Sequence, residues 1–116
     1  MASKHELERI YEMLNQVTPD SVYYALYVAD NTNPPFIVYQ QVGKRTTSYA
    51  DDLFLMKLIT IQITLVTKSK DYILEKKLEQ VLTDNHFNFN MINEYYLVDT
   101  GLYRVYEIKM EEFIYE

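Results

Sequence analysis

Apolar residues recur along the chain at two periods, and the places where the period changes divide it into elements. Leu7, Ile10, Tyr11, Leu14 and Val17 fall at helical spacing, with Glu6, Glu8, Arg9, Glu12 and Asn15 mostly elsewhere, which predicts a first amphipathic helix. Ser3 stands three residues before Glu6, the spacing of a capping box. Pro19 follows the stripe, so the helix is expected to stop by Val17 or Thr18, because the residue before a proline avoids helical geometry.

Val22 to Val28 is β-branched and aromatic, and Asp30-Asn31-Thr32-Asn33-Pro34-Pro35 is dense turn chemistry. A second strand is expected from Phe36 to Val42, ended by Gly43 and the polar stretch Lys44-Arg45-Thr46-Thr47-Ser48. Two strands joined by such a loop most simply pair antiparallel. From Leu53 to Thr67 the odd positions are mostly apolar and Thr60, Gln62 and Thr64 alternate with them, a period of two. A strand this long is expected to bend, or its first part up to Lys57 to project beyond the sheet as an arm whose unpaired backbone groups a bulge, a charge or a neighbouring chain would cover.

Asp71 offers an N-cap to a second helix in which Leu74, Leu78, Val81 and Leu82 repeat at helical spacing until Asp84-Asn85. Phe87, Phe89 and Met91 then alternate with Asn88 and Asn90, a fourth strand continuing to Val98. Asp99-Thr100-Gly101 is a turn, and Leu102 to Phe113 supplies a fifth strand. The order α-β-β-β-α-β-β predicts an α+β fold: two helices packed on one face of a mainly antiparallel sheet, with a long β-hairpin or loop arm around 40–58. The whole chain, 1–116, is expected to form a single domain.

Composition narrows the chemistry. A formal charge of −6 disfavours broad attraction to nucleic-acid phosphates. The absence of cysteine removes disulfides, thiolate nucleophiles and cysteine-based metal sites together. No segment approaches the ~18 apolar residues of a membrane span, and Met1 to Glu6 lacks an apolar signal region, so no membrane role is expected. Twelve tyrosines suit half-buried strand positions and interfaces that are wet at the edge.

The residues offer no catalytic constellation. His5 and His86 have no second ligand at metal spacing, and His86 suits a cation-tolerant helix C-terminus. Asp51-Asp52 and Glu111-Glu112 are paired acids, but adjacency in sequence does not set two carboxylates across a pocket, and they read as solvated loop or strand-end charges. Two glycines cannot build a phosphate loop or a nucleophile elbow. Lys68, Lys70, Lys76 and Lys77 interleave with Asp71, Glu75 and Glu79, which reads as solvated pairing around an exposed helix start. Neither an enzyme nor a cofactor is expected.

The order and spacing of several short segments carry a likeness. Asn33-Pro34-Pro35-Phe36-Ile37-Val38-Tyr39 is followed by Ala50-Asp51-Asp52, a long strand closing near Leu65-Val66-Thr67-Lys68, the helix Leu74-Glu75-Lys76-Lys77-Leu78-Glu79, and a last strand from Tyr103 to Ile108. Over nearly its whole length the chain resembles the small tail-terminator and head-tail joining proteins of long-tailed bacteriophages and their prophages. Related sequences read Ala-Asp-Asn where this one has Ala50-Asp51-Asp52, a difference that bears on Asp52 alone.

The resemblance implies a structural virion protein that forms a hexameric ring with itself on the end of the finished tail tube. It would stop further addition of the tail tube protein and dock onto the head-tail connector protein, with genomic DNA only passing through the channel. The expected location is the virion tail, and the host cytoplasm during assembly. The subunit and partner interface is expected at Pro34, Pro35, Gln41, Lys44, Arg45, Tyr49, Asp51 and Asp52, with the two prolines holding the neighbouring turn rigid. The alternatives are a head-completion or connector protein on the portal side, and a small soluble binding or regulatory domain that shares only the architecture.

Overall fold

The computed structural model describes residues 4–24, 32–48 and 54–115. In chain order its elements are α1 (Lys4–Asn15), β1 (Val22–Tyr24), β2 (Phe36–Ser48), β3 (Phe54–Thr67), α2 (Tyr72–Asp84), β4 (Phe89–Leu97) and β5 (Gly101–Tyr115). The five strands form one mostly antiparallel sheet in the order β1-β2-β3-β5-β4, an α+β fold with two helices.

The alternating run is the centre of the sheet. β3 pairs with β2 from Leu55 to Val66 and with β5 from Phe54 to Thr67. The expectation of a strand projecting past its partners is therefore corrected: its length is matched on both sides, and both rows of its main-chain groups are used within the subunit. The pleat then sends Ile59, Ile61, Ile63 and Leu65 to one face, where all four are buried. Ile37 and Tyr39 of β2 and Tyr106, Ile108 and Met110 of β5 join them on that face.

Both helices cover this face. Ile10, Met13, Leu14 and Val17 of α1 are buried against it, as are Leu78 and Leu82 of α2. Each fully buried leucine contributes about 1.5–3 kcal/mol relative to exposure. The stripe of α1 differs from expectation at two positions: Met13 is buried, whereas Tyr11 is 39% exposed. With Ile10 and Leu14 at the centre, the position three residues after Ile10 lies on the stripe and Tyr11 falls on its flank. The opposite sheet face carries no helix among the described residues. Thr60, Gln62, Thr64 and Gln40 are only half-buried there, and Phe36, Val66 and Val105 are buried towards one end.

Two further expectations are corrected. β1 and β2 run parallel, with Val22 opposite Ile37 and Tyr24 opposite Tyr39, and the Ile37 amide donates to the Ser21 carbonyl over 2.9 Å. Turn chemistry marks where a strand stops, but the direction of β2 is set by its long pairing with β3. The continuation of β1 to Val28 lies outside the described residues. Nor does Gly43 end β2: a register shift between Gln41 and Gly43 leaves Val42 as an extra residue, and pairing resumes from Gly43 opposite Thr60 to Ser48 opposite Leu55. The ladder uses main-chain groups alone, so a polar stretch continues as a strand once β3 is there to template it. The predicted arm is thus a paired β-hairpin.

The helix ends follow local rules. Asp71 caps α2 by accepting from the Leu74 amide over 3.0 Å. At the other end His86 has φ of 65°, and the Phe87 and His86 amides reach back to the Leu82 and Thr83 carbonyls. That is the Schellman pattern, with histidine at the left-handed position glycine usually takes. α1 stops at Asn15, whose side chain accepts from the Asp20 amide over 2.8 Å beyond Pro19. The capping box from Ser3 to Glu6 lies outside the described residues and side chains.

Candidate interaction surfaces

Of the eight interface residues expected from the resemblance, the structure describes five, spread along β2 and the segment before it. Pro34 and Pro35 stand just before β2, where they line a cleft of about 390 Å³ with Thr67 to Ile73, the segment joining β3 to α2. Pro34 also borders a second cleft of about 370 Å³, with Tyr96 and the β4–β5 turn from Val98 to Thr100. Gln41 sits mid-strand, its amide donating to the Tyr24 hydroxyl over 3.3 Å. Lys44 and Arg45 are exposed on β2 beyond the bulge. Lys44 is nine positions on from Pro35, which along a strand is about 30 Å. Prolines and basic pair therefore lie far apart along β2. Tyr49, Asp51 and Asp52 lie outside the described residues.

Beside the prolines is an apolar end surface. Tyr72 and Ile73 at the start of α2 are 74% and 85% exposed, and Val98 at the β4–β5 turn is 85% exposed. Lys68 borders both clefts, and Lys70, Asp71 and Asp99 add charge at their rims. The turn is pinned from below: a side chain at Gly101, whose φ is 136°, would meet the Thr67 carbonyl oxygen at 2.2 Å.

A charged cluster that sequence reasoning missed ties this end to the core. Arg104 on β5 reaches Glu94 on β4 over 2.9 Å, Glu79 on α2 over 3.4 Å and the Tyr106 hydroxyl over 2.6 Å. Lys70 donates to Glu75 over 3.0 Å and to Glu94 over 2.8 Å. Glu75 also lies 3.5 Å from Arg104 Nε. It is buried, and its Oε2 has no partner. The expectation of solvated pairing at the start of α2 is corrected for Glu75, which lies on the same stripe as Leu78 and Leu82 and so turns inward. One signal for the cluster was legible: Arg104 shares its strand parity with Tyr106, Ile108 and Met110, so it had to enter the helix-covered face.

The cluster holds its charges in place. Burial opposes the Arg104 charge, but the hydrogen bonds to Tyr106 and Glu94 outweigh it and hold the guanidinium above its ordinary pKa. Burial, reinforced by donation to Glu79, raises the Tyr106 hydroxyl. The Lys70 hydrogen bond lowers Glu94, and its bonds to Glu94 and Glu75 raise Lys70. Every strong donor here has an acceptor, which suits a clamp between α2, β4 and β5.

β4 itself completes the set of surfaces. It is an outer strand of nine residues, exposed from Asn90 onward, with Met91, Ile92, Tyr95, Tyr96 and Leu97 each 41–58% exposed. Tyr95 stacks on Tyr103 of β5 with centroids 5.1 Å apart and rings 6° from parallel. Among the described residues, no group of three or more histidine, cysteine or acidic side chains is placed to hold a metal ion, and no helix is long and apolar enough to cross a membrane. Compared with known proteins, the chain matches no family model and no curated protein.

Proposed function

We propose that the chain is a structural protein of a bacteriophage or prophage virion that caps the tail tube as a ring of six copies, ends tail polymerisation and joins the tail to the head connector. It works by interface complementarity and not by catalysis. Each subunit presents one patch to a different patch on the next, a heterologous contact whose closure limits the assembly. The protein gathers in the host cytoplasm and ends in the tail, where genomic DNA passes through a channel that the net charge of −6 keeps from binding it.

The observation that best supports this reading is the hairpin of β2 and β3. Burial falls along β2 from Ile37 and Tyr39 to the exposed Val42, Lys44 and Arg45, while β3 stays paired with both β2 and β5 to Phe54 opposite Tyr115, so a three-stranded end of the sheet extends along an elongated molecule of 53 × 25 × 23 Å. The exposed β2 edge of this end suits contact with an adjacent subunit, and the apolar end surface beside Pro34 and Tyr72 suits a stacked partner.

Electron microscopy of particles made without this gene, with plasmid complementation as control, tests the proposal. Overlong tails beside unattached, DNA-filled heads are expected. Tails of normal length with leaking heads would move the protein to the portal side of the joint, and intact infectious particles would overturn a structural role.

A further inference from the structure

The first bond within α2 runs from the Glu75 amide to the Asp71 carbonyl over 3.1 Å, which leaves the amides before it without an acceptor in the helix. The Asp71 side chain takes that of Leu74 over 3.0 Å. Those of Tyr72 and Ile73 have no acceptor among the described residues, and both residues line the cleft of about 390 Å³ between Pro35 and α2. Free amides at a helix start attract negative charge, and the helix dipole adds to it.

Thr67, the last residue of β3, sets this helix start apart from others. It is only 5% exposed, and it shares strand parity with Ile63 and Leu65, so its side chain enters the helix-covered face where the cleft lies. Its carbonyl lies against Gly101, which leaves the hydroxyl as the polar group it offers to the cleft. That hydroxyl has no hydrogen bond among the described residues. Burying a hydroxyl without a partner costs free energy, so one kept at a cleft beside free amides points to a ligand that accepts from all of them.

We propose that this cleft binds a phosphoryl group, held by the Tyr72 and Ile73 amides, the Thr67 and Ser69 hydroxyls and the Lys68 ammonium. Lys68 lines the cleft, is exposed and has no carboxylate partner among the described residues. Lys70 is already held by Glu75 and Glu94, and the carboxylate that lines the cleft, Asp71, is turned to its own helix. Donors of this number match the three terminal oxygens of a phosphoryl group better than the two of a carboxylate. Inorganic phosphate and a nucleotide offer the same group, and only the nucleotide also brings a ring to Tyr72, which is 74% exposed. The site belongs to the free chain and neither stands nor falls with a role in phage tails.

Titration of the isotope-labelled full chain with sodium phosphate, followed by amide NMR with sodium chloride at matched ionic strength as control, tests it. Saturable shifts of the Tyr72 and Ile73 amides are expected, with Kd on the order of 1 mM. Thr67→Val is expected to raise Kd about threefold and Lys68→Met about fivefold or more, while Lys44→Met, far along β2, leaves it unchanged. Lys68 is exposed, so its variant keeps the fold, checked by circular dichroism, even where Thr67→Val does not. Adenosine monophosphate is expected at the same amides: equal affinity makes the phosphate alone sufficient, tighter binding makes the site one for a nucleotide, and both uphold it. No saturable shift below about 50 mM, shifts that chloride reproduces, or a Kd indifferent to Lys68→Met overturns the proposal.

Discussion

Tyr106 donates its hydroxyl proton to Glu79 over 2.7 Å while accepting from Arg104 Nε over 2.6 Å, so one buried ring fastens α2 to β5 through a charged bridge. The same ring packs edge-on against Phe89 of β4 at 5.7 Å between centroids. The core and the polar clamp thus share a residue, and loss of the clamp is felt by three elements.

Arg104→Met is expected to lower stability by about 2–3 kcal/mol, because it leaves the buried Glu75 with Lys70 as its remaining cation. Glu75→Leu is expected to cost clearly less. It removes an oxygen that has no partner, and Arg104 keeps Glu94, Glu79 and Tyr106. Urea unfolding of both variants checks the order, and equal or reversed losses would refute the clamp.

Stability is expected to fall at both ends of the pH scale. Glu94 is depressed by Lys70, so its contribution is present above the ordinary carboxylate range and is lost as pH falls through its lowered folded pKa. Tyr106 and Lys70 are raised, so theirs is full below their unfolded values near 10 and is lost as pH rises towards the folded ones. Melting temperature against pH checks this: Glu94→Gln should flatten the acid limb, and Tyr106→Phe the alkaline limb.

The two glycines should respond in opposite ways. Gly101→Ala is expected to cost about 2 kcal/mol or more, since its Cβ would lie 2.2 Å from the Thr67 carbonyl at a φ of 136°. At Gly43 the nearest atom is Thr60 Cβ at 3.6 Å, and Gly43→Ala should fall within about 1 kcal/mol of the parent, with stabilisation favoured. Denaturation midpoints of the pair decide it.

His86→Gly is expected to raise stability by about 0.5–1 kcal/mol, because glycine accepts a φ of 65° without strain and the Schellman bonds use only main-chain groups. Asp71→Ala should lower it by about 0.5–2 kcal/mol through loss of the bond to the Leu74 amide. A rise in unfolding rate for Asp71→Ala with no change for His86→Gly would mean the C-terminal cap carries no strain.

The alternation from Ile59 to Leu65 and the stripe of Leu78 and Leu82 determined by themselves that this is a helix-covered sheet, because a strand exposes alternate residues and a helix every third or fourth. Asp71 and the turn at Gly101 were equally legible, since capping and left-handed geometry are local. Tertiary structure alone decided the rest. The parallel entry of β2 beside β1, the continuation of Lys44 to Ser48 as strand, and the meeting of Lys70, Glu75, Glu79, Glu94 and Arg104 all depend on which strand lies next to which. Pairing is made by main-chain groups that every residue carries, so side-chain pattern marks the faces of a strand and leaves its neighbours to be chosen by the fold.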